Sequence, residues 1–188
     1  MTENRSVTSP LRIDTVHVPG TGGLIGLTEC PGKNEYPGMG IPVSPWKRDL
    51  ELDLQVILDW RTQILVGLLE DYEFELLGVT ELPARAAGRG IRWLQLPVPA
   101  GGFPDERFEE KWLTAGKELR RVLTEGGRIV LHGNGGSGRA GMVAARLLVE
   151  LGMDPCPAFA LVRQARSAAL LTEEQEDYVR SCRGKARD

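Results

Sequence analysis

Ile129-Val130-Leu131-His132-Gly133-Asn134-Gly135-Gly136-Ser137-Gly138-Arg139-Ala140-Gly141 is the stretch that decides how this chain folds. Arg128 to His132 is a short apolar run suited to a buried strand, and Ala140 to Leu151 is apolar nearly all round, as expected of a central, buried helix. Between them, four of the six residues from Gly133 to Gly138 are glycine. Such a junction suits phosphate. A helix start leaves amides without partners and a partial positive charge, and residues without side chains let the backbone wrap an oxyanion closely. Arg139, closing the loop, can add a bidentate contact to two phosphate oxygens. A tight turn with no ligand is the plain alternative, but it needs far fewer glycines.

Outward from this loop, strands and helices alternate. Arg12 to Val18 and Gly23 to Thr28 read as a hairpin across Pro19-Gly20-Thr21-Gly22-Gly23. Pro31 to Pro45 is rich in turn residues and reads as a surface loop. Asp49 can cap a helix to about Thr62, Ile64 to Leu69 is apt for a buried parallel strand, and two short helical pieces fit Tyr72 to Arg89. Ile91 to Val98 is a further strand. From Asp105 to Thr124, Phe108, Trp112, Ala115, Leu119 and Val122 recur at helical spacing, so this helix packs on a sheet. Helices from Pro155 to Arg166 and from Thr172 to Cys182 complete the pattern. The fold class expected is α/β: a three-layer sandwich with a central, mostly parallel sheet of about five strands flanked by helices. Residues 1–10 are expected to fray, 11–184 to form a single domain, and 185–188 to be a charged tail.

Composition narrows the function. The chain has 188 residues, 41% hydrophobic, and a formal charge of −3, with acidic and basic residues interspersed. There is no basic field of the kind that holds nucleic acid, so an anion must be bound by local geometry. No apolar run approaches the roughly 18 residues of a membrane span, and the opening MTENRSVTSP is polar rather than signal-like. Cys30, Cys156 and Cys182 show neither metal-ligand nor redox spacing, which suits a reducing cytoplasm. With His17 and His132 the only histidines, no zinc site is expected, and no cofactor. The expected protein is a cytoplasmic monomer.

Two known loops share the layout. Gly133 and Gly138 match the glycines of the Walker A motif, G-x-x-x-x-G-K-[ST], but Arg139 replaces its lysine and Ala140 its magnesium-binding hydroxyl. No apolar strand ending in aspartate follows to supply a second magnesium ligand. The second loop is the phosphatase signature H-C-x-x-x-x-x-R. His132 to Gly141, Pro97-Val98-Pro99-Ala100-Gly101-Gly102-Phe103-Pro104-Asp105, Val162-Arg163-Gln164-Ala165-Arg166 and Thr172-Glu173-Glu174-Gln175-Glu176 together resemble the cyclin-dependent-kinase-associated phosphatase group. That group belongs to the cysteine-dependent tyrosine/dual-specificity phosphatases. Gly26-Leu27-Thr28-Glu29-Cys30-Pro31-Gly32 is similar to its early strand and turn, so the resemblance spans roughly residues 11 to 182.

The resemblance implies a loop cysteine that attacks phosphorus as a thiolate, an aspartate that protonates the leaving oxygen, and no metal. This sequence departs at both positions. Gly133 stands at the nucleophile position and Ala100 at the general-acid position, and loss of a general acid alone costs about 10²–10⁴ in rate. The cradle, Asn134, Gly135, Gly136, Ser137, Gly138 and Arg139, is retained. Turnover by the family route is therefore not expected, whereas binding of a phosphorylated protein or small phosphomonoester is. Two explanations stay open: a natural pseudophosphatase that binds a phosphorylated partner or nucleotide, or a chain altered to trap substrate. Loss of nucleophile and acid with every phosphate-binding residue kept favours the second.

Other residues carry weaker signals. Asp105 can be a substitute acid or, more simply, the start of the long helix. By resemblance, His132 supports the loop through hydrogen bonding, and Gln175 matches a polar position near the pocket that can steer water. Ser137 can bond phosphate or cap the helix. Arg163 and Arg166 can fringe the pocket, although a solvated helix face is the simpler reading. The cysteines read as packing or surface thiols.

Overall fold

A computed structural model describes residues 5–34, 47–167, 169 and 172–184. A five-stranded sheet with the order β1-β2-β5-β3-β4 lies at its centre. β1 (Asp14–His17) pairs antiparallel with β2 (Leu24–Thr28), and β3 (Ile64–Gly67), β4 (Arg92–Gln95) and β5 (Arg128–His132) complete it with parallel pairings. Period-two alternation sorts the side chains into two cores. Ile25, Leu27, Ile64, Val66, Ile129 and Leu131 face one way, while Leu65 and Val130 face the other.

The first face is covered by α5 (Glu106–Thr124), α6 (Gly138–Glu150), α7 (Pro155–Ala165) and α8 (Glu173–Ser181). The second is covered by α2 (Leu50–Asp59), α3 (Asp71–Leu76) and α4 (Leu82–Gly88). This is the three-layer α/β arrangement the sequence implies. Phe108, Trp112, Ala115, Leu119 and Val122 of α5 are all buried, as their spacing requires. The helix starts where Asp105 accepts a hydrogen bond from the Phe108 amide at 3.1 Å. α6 differs from an apolar cylinder in one respect, since Arg146 is buried within it. Its guanidinium donates to Glu109 and Glu150 at 2.7 Å and lies 4.4 Å from the Trp112 ring centre, so the charge is paired rather than stranded.

In the first part of the chain, two segments are more tied down over their described residues than their composition suggests. α1 (Arg5–Thr8) is a helical turn, and Ser6 is buried against α2 instead of fraying. Its hydroxyl donates to Asp53 at 2.7 Å and accepts from the Asp49 amide at 2.8 Å. Asp53 also receives Arg48 in a bidentate pair, at 2.7 and 2.8 Å, and the Gly32 amide at 2.9 Å. A buried carboxylate needs this many donors, and the N-terminal turn supplies one of them. The surface loop expected over Pro31 to Pro45 begins with buried residues, Pro31 to Lys33. Its remainder, residues 35–46, lies outside the described residues, as does the charged tail, 185–188. Among the described residues, no helix is long and apolar enough to cross a membrane.

Candidate phosphate-binding site

The three central parallel strands end level with one another: Thr28 pairs with His132, and His132 with Gly67. A loop leaving β5 therefore emerges beyond the carboxyl ends of the strands, where α/β sheets present ligand sites. Gly133 to Ser137 is that loop, and α6 begins at Gly138. It is stitched to the end of β2 by the Cys30 amide, which donates to Asn134 O at 3.0 Å. Gly136 has φ +69°, and a Cβ there would lie 2.1 Å from Thr28 O, so only glycine fits. Gly133 is different. Its nearest neighbour to an added Cβ is Arg139 Nε at 3.4 Å, an ordinary contact, so the fold itself does not demand glycine at that position.

Among the described residues, no backbone N–H from Gly133 to Ala140 donates to a protein acceptor. Unpaired donors at that density make the loop a candidate binding site, because buried or half-buried amides are otherwise paired. They border a cavity of about 240 Å³ lined by Gly133–Arg139 together with Gly101 and Gln175. Asn134 and Gly135 lie exposed at its mouth, and Ser137 makes no capping hydrogen bond with its side chain.

Arg139 is held from behind. Its Nη1 and Nη2 donate to Glu73 Oε2 and Oε1 at 2.6 and 2.8 Å, and Nη1 also reaches Val98 O at 3.0 Å and Leu68 O at 3.3 Å. These bonds engage Nη1 and one hydrogen of Nη2 and leave the Nε–Nη2 edge beside Gly133. The guanidinium is thus fixed in orientation by a carboxylate on α3 and two carbonyls at the strand ends, with one edge left on the cavity side.

No protein-family model and no curated protein sequence matches the chain. Solved structures do. Kinase associated phosphatase, in a form whose catalytic cysteine is replaced by serine, matches with a TM-score of 0.80 at 24% identity over 95% of this chain and 97% of that one. The fold is that of the cysteine-dependent phosphatases. Tk-PTP in its active form matches this phosphatase fold with a TM-score of 0.64 at 23% identity, covering 90% of this chain and 95% of its own. PTPMT1, solved in complex with PI(5)P, does so with a TM-score of 0.66 at 16% identity, covering 92% of this chain and 96% of its own.

Within the phosphatase fold, His132 is fully buried, its Nδ1 3.3 Å from Gly133 O. Burial holds its pKa down at about 4, and the nearby Arg139 charge pushes the same way, so the ring is neutral and donates from Nδ1. Ala100 sits exposed in a Pro99–Gly102 turn closed by the Gly102 amide on Pro99 O at 3.0 Å, with Gly101 at φ +72°. Asp105 does not line the cavity. Arg107 and the Phe108 amide hold its carboxyl below the usual range, which keeps it ionised and ill suited to donate a proton. Ala140, buried where a Walker A loop has its hydroxyl, offers magnesium nothing.

Two residues that act on the loop are not assigned that role by the sequence. Nothing in the sequence singles out Glu73, and for Arg166 the simpler of its two readings, a solvated helix face, does not hold. Instead Arg166 Nη2 donates to Gly135 O at 2.8 Å while Nη1 pairs with Asp14 at 3.0 Å, bracing the loop against β1. Arg163 pairs with Glu176. Cys30 and Cys182 are buried and Cys156 is exposed, all as free thiols, and burial pushes Cys30 strongly up, away from the reactive thiolate.

Proposed function

We propose that this chain binds phosphomonoesters at Gly133–Arg139 as a dual-specificity-phosphatase-type protein lacking its nucleophile and general acid, and that it does not turn them over. The run of unpartnered amides from Gly133 to Ala140 around a cavity that Arg139 borders carries this reading. A phosphate dianion offers acceptors for those amides and for the free edge of the guanidinium, with no need of a metal. The ligand class is a phosphorylated protein or small phosphomonoester, met in a reducing, cytoplasmic setting that suits three free thiols.

Glycine at 133 has no atom to attack phosphorus, and alanine at 100 has no proton to give. In a cysteine-bearing form, the thiolate forms the S–P bond as the P–O bond to the leaving group breaks, and an acid at position 100 protonates the departing oxygen. Water then attacks the phosphocysteine, the same carboxylate takes its proton, the S–P bond breaks to return the thiolate, and inorganic phosphate leaves. Loss of nucleophile and acid together, with every residue of the cradle kept, favours an altered active enzyme over a natural pseudophosphatase. The test is a titration of the unmodified chain with inorganic phosphate, followed by loop amide NMR shifts, beside an aryl-phosphatase assay of Gly133→Cys with Ala100→Asp. Saturable shifts at Gly133–Arg139 and metal-independent turnover by the double variant are expected. No shifts would refute the binding site, and shifts without turnover would select the pseudophosphatase.

A further inference from the structure

The phosphate cavity has a wall that the loop itself does not provide, the turn carrying Gly101. That turn is tied to α8 at two points. Gln175, buried and lining the same cavity, donates from Nε2 to Gly102 O at 3.0 Å. Phe103, half exposed at 51%, stacks on Tyr178 with ring centres 6.4 Å apart. Gln175 is fixed in its turn, because its Oε1 accepts from the Thr172 amide and its own amide donates to Thr172 Oγ1, both at 3.3 Å. Tyr178 is fixed by its hydroxyl, which donates to Glu109 at 2.5 Å. The anchors are thus themselves immobilised, one by the helix cap and one by the α5–α6–α8 charge cluster.

We propose that α8 presets the Pro99–Pro104 segment over the phosphate cradle, with Gln175 as the positioning residue and the Phe103–Tyr178 stack as its second support, so that anion capture needs no loop closure. Pre-formed walls reduce the ordering cost of binding and slow ligand escape. The inference rests on the phosphate-binding reading for its effect on the ligand, but the tether itself is a property of the free protein.

Two variants separate the parts. Gln175→Glu keeps a carbonyl-type oxygen for the Thr172 amide and removes the donor to Gly102, while Phe103→Ala removes the stack from an exposed position that does not threaten folding. The measurements are amide hydrogen exchange at Gly101, Gly102 and Phe103 without ligand, and the dissociation rate of inorganic phosphate from NMR line shapes. Each variant is expected to speed exchange at these three amides and phosphate release by about two- to tenfold, the range for one lost hydrogen bond or ring contact. Added phosphate should leave exchange at these amides unchanged in the parent chain. Unchanged exchange in both variants, or strong protection of the turn only once phosphate is added, overturns the preset wall. Faster exchange in the variants, with a parent chain that never binds phosphate, upholds the tether and sinks the phosphate site instead.

Discussion

Gly136 and Gly133 sit three residues apart in one loop, and the structure assigns them opposite tolerance. Gly136→Ala places a methyl 2.1 Å from Thr28 O and 2.8 Å from Glu29 N. Both obstacles are backbone, so no rotamer relieves them, and the loop must step back from β2. The left-handed conformation adds about 1–2 kcal/mol for any residue with a Cβ. Stepping back also gives up the Cys30 amide bond to Asn134 O, about 1 kcal/mol more. The sum is a loss of roughly 2–3 kcal/mol. Gly133→Ala meets nothing closer than 3.4 Å and has no left-handed φ to defend, so its change should lie within about 1 kcal/mol. Urea denaturation of the two variants beside the parent chain, with a phosphate titration of each, reads both effects. Equal stability of all three, or a Gly133→Ala chain as weakened as Gly136→Ala, would refute the packing argument.

His132 supplies a pH prediction. Its folded-state pKa of about 4 lies below the ordinary 6.5, so the unfolded chain takes up a proton that the folded chain refuses. Its contribution is complete above pH 6.5 and is lost as pH falls toward 4. Between pH 7.5 and 4.5 the loss is roughly 2–3 kcal/mol, visible as a steeper decline than in His132→Asn, where other groups cancel in the comparison. Arg139→Lys keeps the charge but not the fork held by Glu73, and isothermal titration should show phosphate affinity reduced by about tenfold or more. Arg166→Ala unties Gly135 O from β1 and should lower the denaturation midpoint by the equivalent of about 1–3 kcal/mol while weakening phosphate binding. An unchanged midpoint would mean that the brace contributes nothing.

The elements and the site loop were legible because each announces itself locally. The α5 stripe has helical periodicity, β5 is a short apolar run, and a glycine cluster at a strand–helix junction has few other uses. The groups that aim the loop were not legible. Glu73 is one of 26 acidic residues, and nothing nearby marks it as the partner of an arginine 66 positions away. Arg166 likewise reads as a surface residue until α7 is docked against β1. Ser6 lay in a polar opening with no periodicity, yet a buried carboxylate on α2 recruits its hydroxyl. Charged and polar side chains pair by tertiary placement, and sequence spacing carries that information only within a helix turn or so.

Glu73 Oε2 receives two donors, the Glu70 amide at 2.9 Å and Arg139 Nη1 at 2.6 Å. One oxygen therefore both launches a six-residue helix and orients the guanidinium beside the cavity. The start of α3 and the aim of Arg139 become a single mechanical unit. Sequence drift in Glu70–Leu76, remote from any ligand, would be felt as a change in grip, and loosening that short helix would detune the site without touching one of its glycines.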